Sequence, residues 1–391
     1  MSLFFRLASN YFFYFAILGL TSPYLSVYLD AKGFNSIELG EIFAILTAAK
    51  IVAPSLWAIL ADKTGKQLLI IRLGALSALA SFTLLFWLNS YWPISFALAL
   101  FTLFWTAILP QLEVLTLNTV RHSSKIYARV RLWGSLGFIA LAVVAGQVME
   151  LVTSKDFTFA FTLMGTLILL LLLISTLRIK SYKKVEQKQH STSAILTKFT
   201  QSSFVIFFIS GILLQISFGP YYGFFALFLR DLGYSGLAIG LLISLGVIAE
   251  ILVFIFAGFF FRAFTVKQLI IFSFAVTAFR WYCVGIFADS VWILSLTQLM
   301  HAASFGLYHS ASMLFISRHF SSAQQSRGQA IYLGGVYGLG GAIGAYLAGV
   351  LWLDGQGATS TFLVASAAAL LSTILMVFFT DKKAQLKTGQ K

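Results

Sequence analysis

The chain has 391 residues, 59% of them hydrophobic and only 10% charged, with a mean hydropathy of +0.90; soluble domains carry roughly 25% charged residues, so a soluble globular fold is excluded. The formal net charge of +14 would suit nucleic acid, but the placement of the cations, given below, excludes that partner too. The single Cys283 forbids an intramolecular disulfide and argues against a cysteine-based metal site.

Apolar runs of about 20 residues, enough to cross a bilayer, recur along the whole chain. The first begins near Phe4. It is longer than the apolar core of a signal peptide and lacks a small-residue cleavage site, so it reads as a membrane helix. Twelve helices are predicted in order, at roughly 5–29, 37–61, 67–89, 94–119, 126–152, 157–178, 202–229, 236–261, 267–288, 291–317, 326–352 and 358–380. The class is therefore an all-α membrane protein. Connections are short except one, "RIKSYKKVEQKQHSTSAILTK" (178–198), which is polar and basic. It divides the chain into an N-terminal six-helix half at 1–178, a cytoplasmic basic linker at 179–200 and a C-terminal six-helix half at 201–391.

With these helices in place, 22 of the 27 Lys and Arg fall on one side of the bilayer. Lys32, Lys155 and Arg230 fall on the other, and Lys50 and Arg280 fall within it. Cations gather on the cytoplasmic side of membrane proteins. Both termini are thus expected in the cytoplasm, in a plasma membrane, and for a bacterium the inner one.

The halves read as parallel repeats. "GFNSIELGEIFAILTAAK" (33–50) aligns with "GYSGLAIGLLISLGVIAE" (233–250) at an offset of 200. Gly33 falls on Gly233, Gly40 on Gly240 and Ala49 on Ala249, and the last column sets Lys50 against Glu250. Helices 2 and 8 then carry opposite charges at one mid-membrane depth. A carboxylate there costs about 2.5–3.5 kcal/mol on insertion scales, so a helix meant only to span would not keep Glu250. Two parallel repeats with a site between them are an architecture of secondary carriers.

The loop "AILADKTGK" (58–66) carries a family resemblance. It is similar to the cytoplasmic loop motif of the major facilitator superfamily, with Asp62, Lys63, Gly65 and Lys66 in place and Ala58 where Gly is usual. The resemblance implies the major facilitator fold, with this loop as a cytoplasmic gate in which Asp62 pairs with a neighbouring cation. "LPQLEVLTLNTVRHSSKIYARVRLWGSLGF" (109–138) resembles lactose permease and the phenylpropionate permease group. That likeness implies substrate binding by Glu113 and Arg131, with Phe138 stacking on the substrate. A plain ion pair at the helix ends is the competing reading of Glu113 and Arg131. "YYGFFALFLRDLGYS" (221–235), "SLGVIAEILVF" (244–254), "FRWYCVG" (279–285) and "MHAASFGLYHSASM" (300–313) resemble the phenylpropionate permease group more closely. Arg280 and His301 match the Arg and His of lactose permease, whereas its proton-carrying Glu falls on Ser304 and one of its Lys on Gln298.

The proton machinery must therefore be assigned within this chain. Glu250 is expected to carry the proton, with Arg280 as its counter-ion and His301 as relay or alternative carrier, since an unperturbed imidazole already titrates near pH 6.5. A fixed Glu250–Arg280 strut is the competing reading. His301 and Tyr308, seven residues apart, are expected to share a stripe, and His309 reads as structural. Tyr221, Tyr222, Phe138 and Trp281 are the aromatic candidates for a cavity wall. Lys50, Arg131 and Arg280 outnumber the two buried glutamates, and the excess suits an anionic substrate held in part by Lys50. Gly334/Gly338 and Gly340/Gly344 on helix 11 have the four-residue spacing of close helix packing.

The expected function is proton-coupled uptake of a small organic substrate, an aromatic or other organic acid such as 3-phenylpropionate, by a functional monomer through alternating access. A sugar or nucleoside proton symporter and a proton-driven exporter are the alternatives. The absence of a Pro in "WGSLGFIALAVVAGQV" (133–148) favours import, because drug exporters of the superfamily usually carry one there. Neither His-Glu-x-x-His nor a nucleophile elbow occurs, so an intramembrane enzyme is not expected, and no cofactor or metal is called for.

Overall fold

A computed structural model describes residues 3–120, 123–179, 196–321 and 324–380. Twelve membrane segments stand among the described residues. They are α1 (Leu3–Ala31), α2 (Ser36–Thr64), α3 (Gln67–Thr83), α4 (Tyr91–Trp105 and Ile108–Thr119), α5 (Ser124–Leu151) and α6 (Ser154–Leu177). After the single turn Leu196–Phe199 come α7 (Ser202–Ser217 and Gly219–Asp231), α8 (Gly236–Ala263) and α9 (Val266–Phe287). Then α10 is built of Val291–Leu299, Ala302–Leu307 and Tyr308–His319; α11 of Gln325–Tyr332, Leu333–Gly340 and Gly341–Trp352; and α12 is Ala358–Val377. Eleven stretches are long and apolar enough to cross a membrane. The twelfth, α10, is interrupted where its polar residues lie. Most of the predicted linker at 179–200 lies outside the described residues.

The interruptions have physical causes. Pro110 cannot donate to the carbonyl of Thr106 and its ring crowds that turn, and α4 breaks at Thr106–Ala107. Pro220 does the same to α7, which breaks at Phe218. Two wider turns of π-helix occur, at Ala302–Leu307 in α10 and at Leu333–Gly340 in α11. Such turns close i→i+5 hydrogen bonds and are found mostly as local bulges at functional sites.

The α1–α2 turn recurs 200 residues later between α7 and α8. Gly33 and Gly233 both take left-handed backbone, at φ 89° and 84°, which glycine adopts without steric cost. Their amides donate to the carbonyls of Asp30 and Arg230 at 2.8 and 2.9 Å. Phe34 and Tyr234 donate to Leu29 and Leu229 at 3.2 and 3.0 Å. The turn at the head of the aligned stretch thus shares these two backbone bonds in both copies.

By compactness the chain forms two units, Met1–Glu186 with Tyr222–Ser244, and Gln187–Tyr221 with Leu245–Lys391. In the first unit α1 and α5 approach so closely that a Cβ on Gly137 would overlap the Phe12 carbonyl, and one on Gly19 the Phe138 carbonyl. The same unit holds the start of α8 against α5. Gly146 and Gly236 meet backbone to backbone, the Leu237 amide donates to Glu150 at 3.3 Å, and the Tyr24 hydroxyl donates to the Ala142 carbonyl at 2.8 Å. Asp30 and Arg230 form an ion pair at 2.7 Å, and the guanidinium also takes Asp231 at 2.8 Å. In the second unit Gly340 and Gly344 seat α11 on α7, against Ile212 and Ile216, so these two glycines serve close packing.

Candidate functional site

The second unit gathers a polar cluster in the middle of its helices. Arg280 on α9 is fully buried. Its Nη1 donates to Ser304 Oγ at 3.1 Å and lies 3.0 Å from His301 Nδ1. Its Nη2 donates to Gln298 Oε1 at 3.4 Å, an oxygen that also accepts from the Tyr221 hydroxyl at 2.9 Å. The guanidinium carbon stands 4.3 Å from the centre of the Tyr221 ring and 4.4 Å from that of Trp281. A desolvated cation between two aromatic faces is worth about 2 kcal/mol. These contacts explain how the apolar interior holds a cation.

His301 links Arg280 to Glu250. Its Nε2 lies 3.9 Å from Glu250 Oε2, with side-chain exposures of 8% and 21%. A guanidinium has only donors, so a bond from Arg280 requires a lone pair on Nδ1 and leaves the imidazole proton on Nε2, toward Glu250. Glu250 is the more accessible of the two, and its Cγ would be 3.2 Å from a Cβ on Gly306, in the π turn of α10. The structure therefore brings Glu250, Arg280, His301 and Tyr221 together. Gln298 and Ser304, which sequence comparison marks only as departures from a known carrier, become direct ligands of Arg280.

Two expectations for the cluster do not hold. Trp281 is no wall residue: it is fully buried and donates through Nε1 to Ser217 Oγ at 3.1 Å, behind the guanidinium. Tyr308 does not share a stripe with His301; it is buried and accepts a hydrogen bond from the Tyr332 hydroxyl at 2.7 Å. The π turn between them shifts the register. Instead Phe305 stacks on His301 at 5.4 Å and 3° between planes, and His309 lies 6.2 Å beyond it at 13°.

The remaining candidates lie in the first unit. Glu113 on α4 and Arg131 on α5 form a long ion pair at 3.8 Å, exposed to 36% and 34%. Phe15 covers the guanidinium, at 4.1 Å. Phe138 is half-buried on α5, Tyr222 is exposed on α7 and Lys50 is exposed on α2. Among the described residues the Lys50 amine has no hydrogen-bond or ion-pair partner. In the loop motif, Gly65 ends α2 in left-handed backbone at φ 65°, its amide on the Ala61 carbonyl at 2.9 Å. That is a helix C-cap. Lys63 and Lys66 are exposed, with Lys63 in the last turn, where a cation suits the helix dipole. The Asp62 side chain, expected to pair there, lies outside the described residues.

Known proteins extend the picture. The family model described as "MFS_1 like family" matches residues 4–364. A probable 3-phenylpropionic acid transporter of Escherichia coli (strain K12) is 28% identical over 352 residues, covering 88% of this chain and 90% of its own. A maltose permease of Geobacillus stearothermophilus is 26% identical over 347 residues, covering 86% of each. The crystal structure of the nucleoside transporter NupG superposes with a TM-score of 0.83 at 17% identity, over 98% of this chain and all of that one; at that identity the likeness is one of fold.

Proposed function

The chain belongs to the MFS_1 like family and is a multi-pass membrane transporter of the major facilitator type, and from that premise we propose that it takes up a small organic acid together with a proton. The halves 1–178 and 201–391, joined by the segment 179–200, are the bodies that rock, in a protein acting as a monomer. It resides in the bacterial inner membrane with both termini in the cytoplasm.

One observation carries the reading: Arg280 dictates which nitrogen of His301 bears the proton. A histidine held as an acceptor at Nδ1 cannot take a second proton there without losing its bond to the guanidinium. The exchangeable proton is thus left to Glu250, which faces the Nε2–H and is partly exposed. Ionised, Glu250 balances Arg280 across the imidazole. Protonated, it leaves the cluster with one net positive charge, which an anionic substrate offsets. Proton and anion then favour each other's binding, and the coupling is reciprocal. A cluster carrying only one of them holds an unbalanced charge in a low-dielectric interior, and that species resists closure. Alternation with both or neither bound is symport.

Lys50, exposed on α2 and without a partner among the described residues, is the ligand assigned to the carboxylate. This charge arithmetic and the probable 3-phenylpropionic acid transporter among its relatives support an aromatic or other organic acid as the substrate class. A second reading, a neutral sugar, is favoured by the Glu113–Arg131 pair, which is already balanced at 3.8 Å and offers hydrogen bonds without net charge. Thermal-shift binding of 3-phenylpropionate, propionate and maltose to purified protein and to Lys50→Ala separates them. Acid binding that disappears in Lys50→Ala supports the first reading; a shift with maltose alone supports the second.

A further inference from the structure

The strip His301–Phe305–His309 on α10 is unused by the proton cluster beyond its first member. Its three rings lie nearly parallel, 5.4 and 6.2 Å apart. A straight α-helix advances roughly 100° per residue, so residues four apart drift round the helix. The i→i+5 turn at Ala302–Leu307 rotates the chain less per residue and brings the rings back into one line. The matching wide turn at Leu333–Gly340 on α11 holds Tyr337. The Tyr337 ring stands edge-on to Phe305 at 87° and 6.3 Å, and to His309 at 75° and 5.9 Å. Its hydroxyl is 3.1 Å from His309 Nδ1, which fixes the angle between the two helices' rings. Phe305 and His309 therefore form a floor and Tyr337 a wall, an aromatic corner.

This corner faces away from lipid. Trp292, Leu296 and Leu299 are the exposed apolar stripe of α10, at 80%, 58% and 44%. At about 100° per residue as far as His301 and less through the π turn, Phe305 falls on the side of α10 away from the middle of that stripe. Phe305, His309 and Tyr337 are nonetheless only half-buried, so part of each ring stays accessible to a ligand. A histidine exposed to hydrocarbon there would be costly; one facing a wet opening is not.

We propose that this corner receives the planar ring of the substrate, with Phe305 as the stacking floor and Tyr337 as the edge that orients it. It makes the transporter selective for aryl-bearing acids over aliphatic ones, and it rests on the organic-acid reading above. Aromatic pairs prefer offset-stacked and edge-to-face contacts, worth about 0.5–1.5 kcal/mol beyond the area buried. One corner supplies both.

The test compares 3-phenylpropionate with propionate on wild type, Phe305→Leu and Phe305→Ala, by equilibrium binding to the purified full chain, with the thermal midpoint as a check of folding. The leucine variant keeps bulk where alanine leaves a void. The proposal expects wild type to prefer the aryl acid, and Phe305→Leu to lose at least about fivefold in affinity for it while propionate affinity stays within twofold. Equal losses for both acids, or no loss for either, overturn the corner while leaving organic-acid transport standing. Binding of neither acid to wild type rejects the organic-acid reading itself, and the corner with it.

Discussion

Arg280 and His301 lie 3.0 Å apart, Nη1 to Nδ1, in a geometry that assigns the imidazole proton to the nitrogen facing Glu250. The cation thus acts on the carboxylate through a tautomer. Glu250→Gln mimics the protonated acid permanently. Uphill accumulation driven by a pH gradient should be lost, while exchange of labelled for unlabelled substrate across the membrane persists. Transport by wild type should fall as external pH rises, and exchange by the variant should be flat with pH. A variant that still accumulates substrate with normal pH dependence rejects Glu250 as carrier.

Removing the buried guanidinium has a different signature. Arg280→Gln strips His301 and Ser304 of their shared donor and leaves the Tyr221 and Trp281 faces without a cation. Breaking a buried charged network from one side costs about 3–5 kcal/mol. The thermal midpoint in detergent should drop clearly, and Arg280→Lys should rescue little, because an ammonium cannot present the planar fork. An unchanged midpoint for the glutamine variant would show the network to be energetically idle.

Asp30 and Arg230 should tune access more than stability. The pair is exposed to 40% and 32%, and exposed pairs are worth about 0.2–1 kcal/mol. It lies on the side predicted to face outward and ties the start of the α1–α2 turn to the end of α7. Asp30→Asn should leave the midpoint nearly unchanged and raise the rate at which an outside thiol reagent labels a cysteine introduced at the exposed Tyr222. The exchange Asp30→Arg with Arg230→Asp should return that rate toward wild type; failure of the swap rejects the latch.

The glycine contacts make a steric prediction. A Cβ on Gly137 would meet the Phe12 carbonyl, and backbone cannot step aside as a side chain can. Gly137→Ala should cost about 1–3 kcal/mol through separation of α1 and α5. Alanine at Gly223, whose Cβ would find only ordinary contact with Phe43 at 3.6 Å, should be tolerated. Paired thermal midpoints decide it.

The helices, their order and the charged centres were legible because hydrocarbon enforces them. A run of 20 apolar residues has few other homes, and Glu250 and Arg280 stand out against it. The offset of 200 was legible from glycines, since Gly33 and Gly233 are needed where φ is positive. Three things were hidden. His301 as the bridge between Glu250 and Arg280 depends on how α8, α9 and α10 pack, which no single helix encodes. The π turn in α10 carries no proline, and it displaced Tyr308 from the stripe in favour of Phe305 and His309. Phe15 as the ring over the Arg131 guanidinium depends on α1, far away in sequence, lying against α5.

Asp30 and Arg230 occupy equivalent places in the two copies of one turn. Were the copies identical, each would present the same charge to the other, and this contact would push apart. Attraction there became available only once the duplicated sequences had diverged. In the aligned sequence the column of Lys50 and Glu250 also carries opposite charges. The two turns share one backbone geometry, and it is the inequality of their side chains that turns a repeated shape into an attraction.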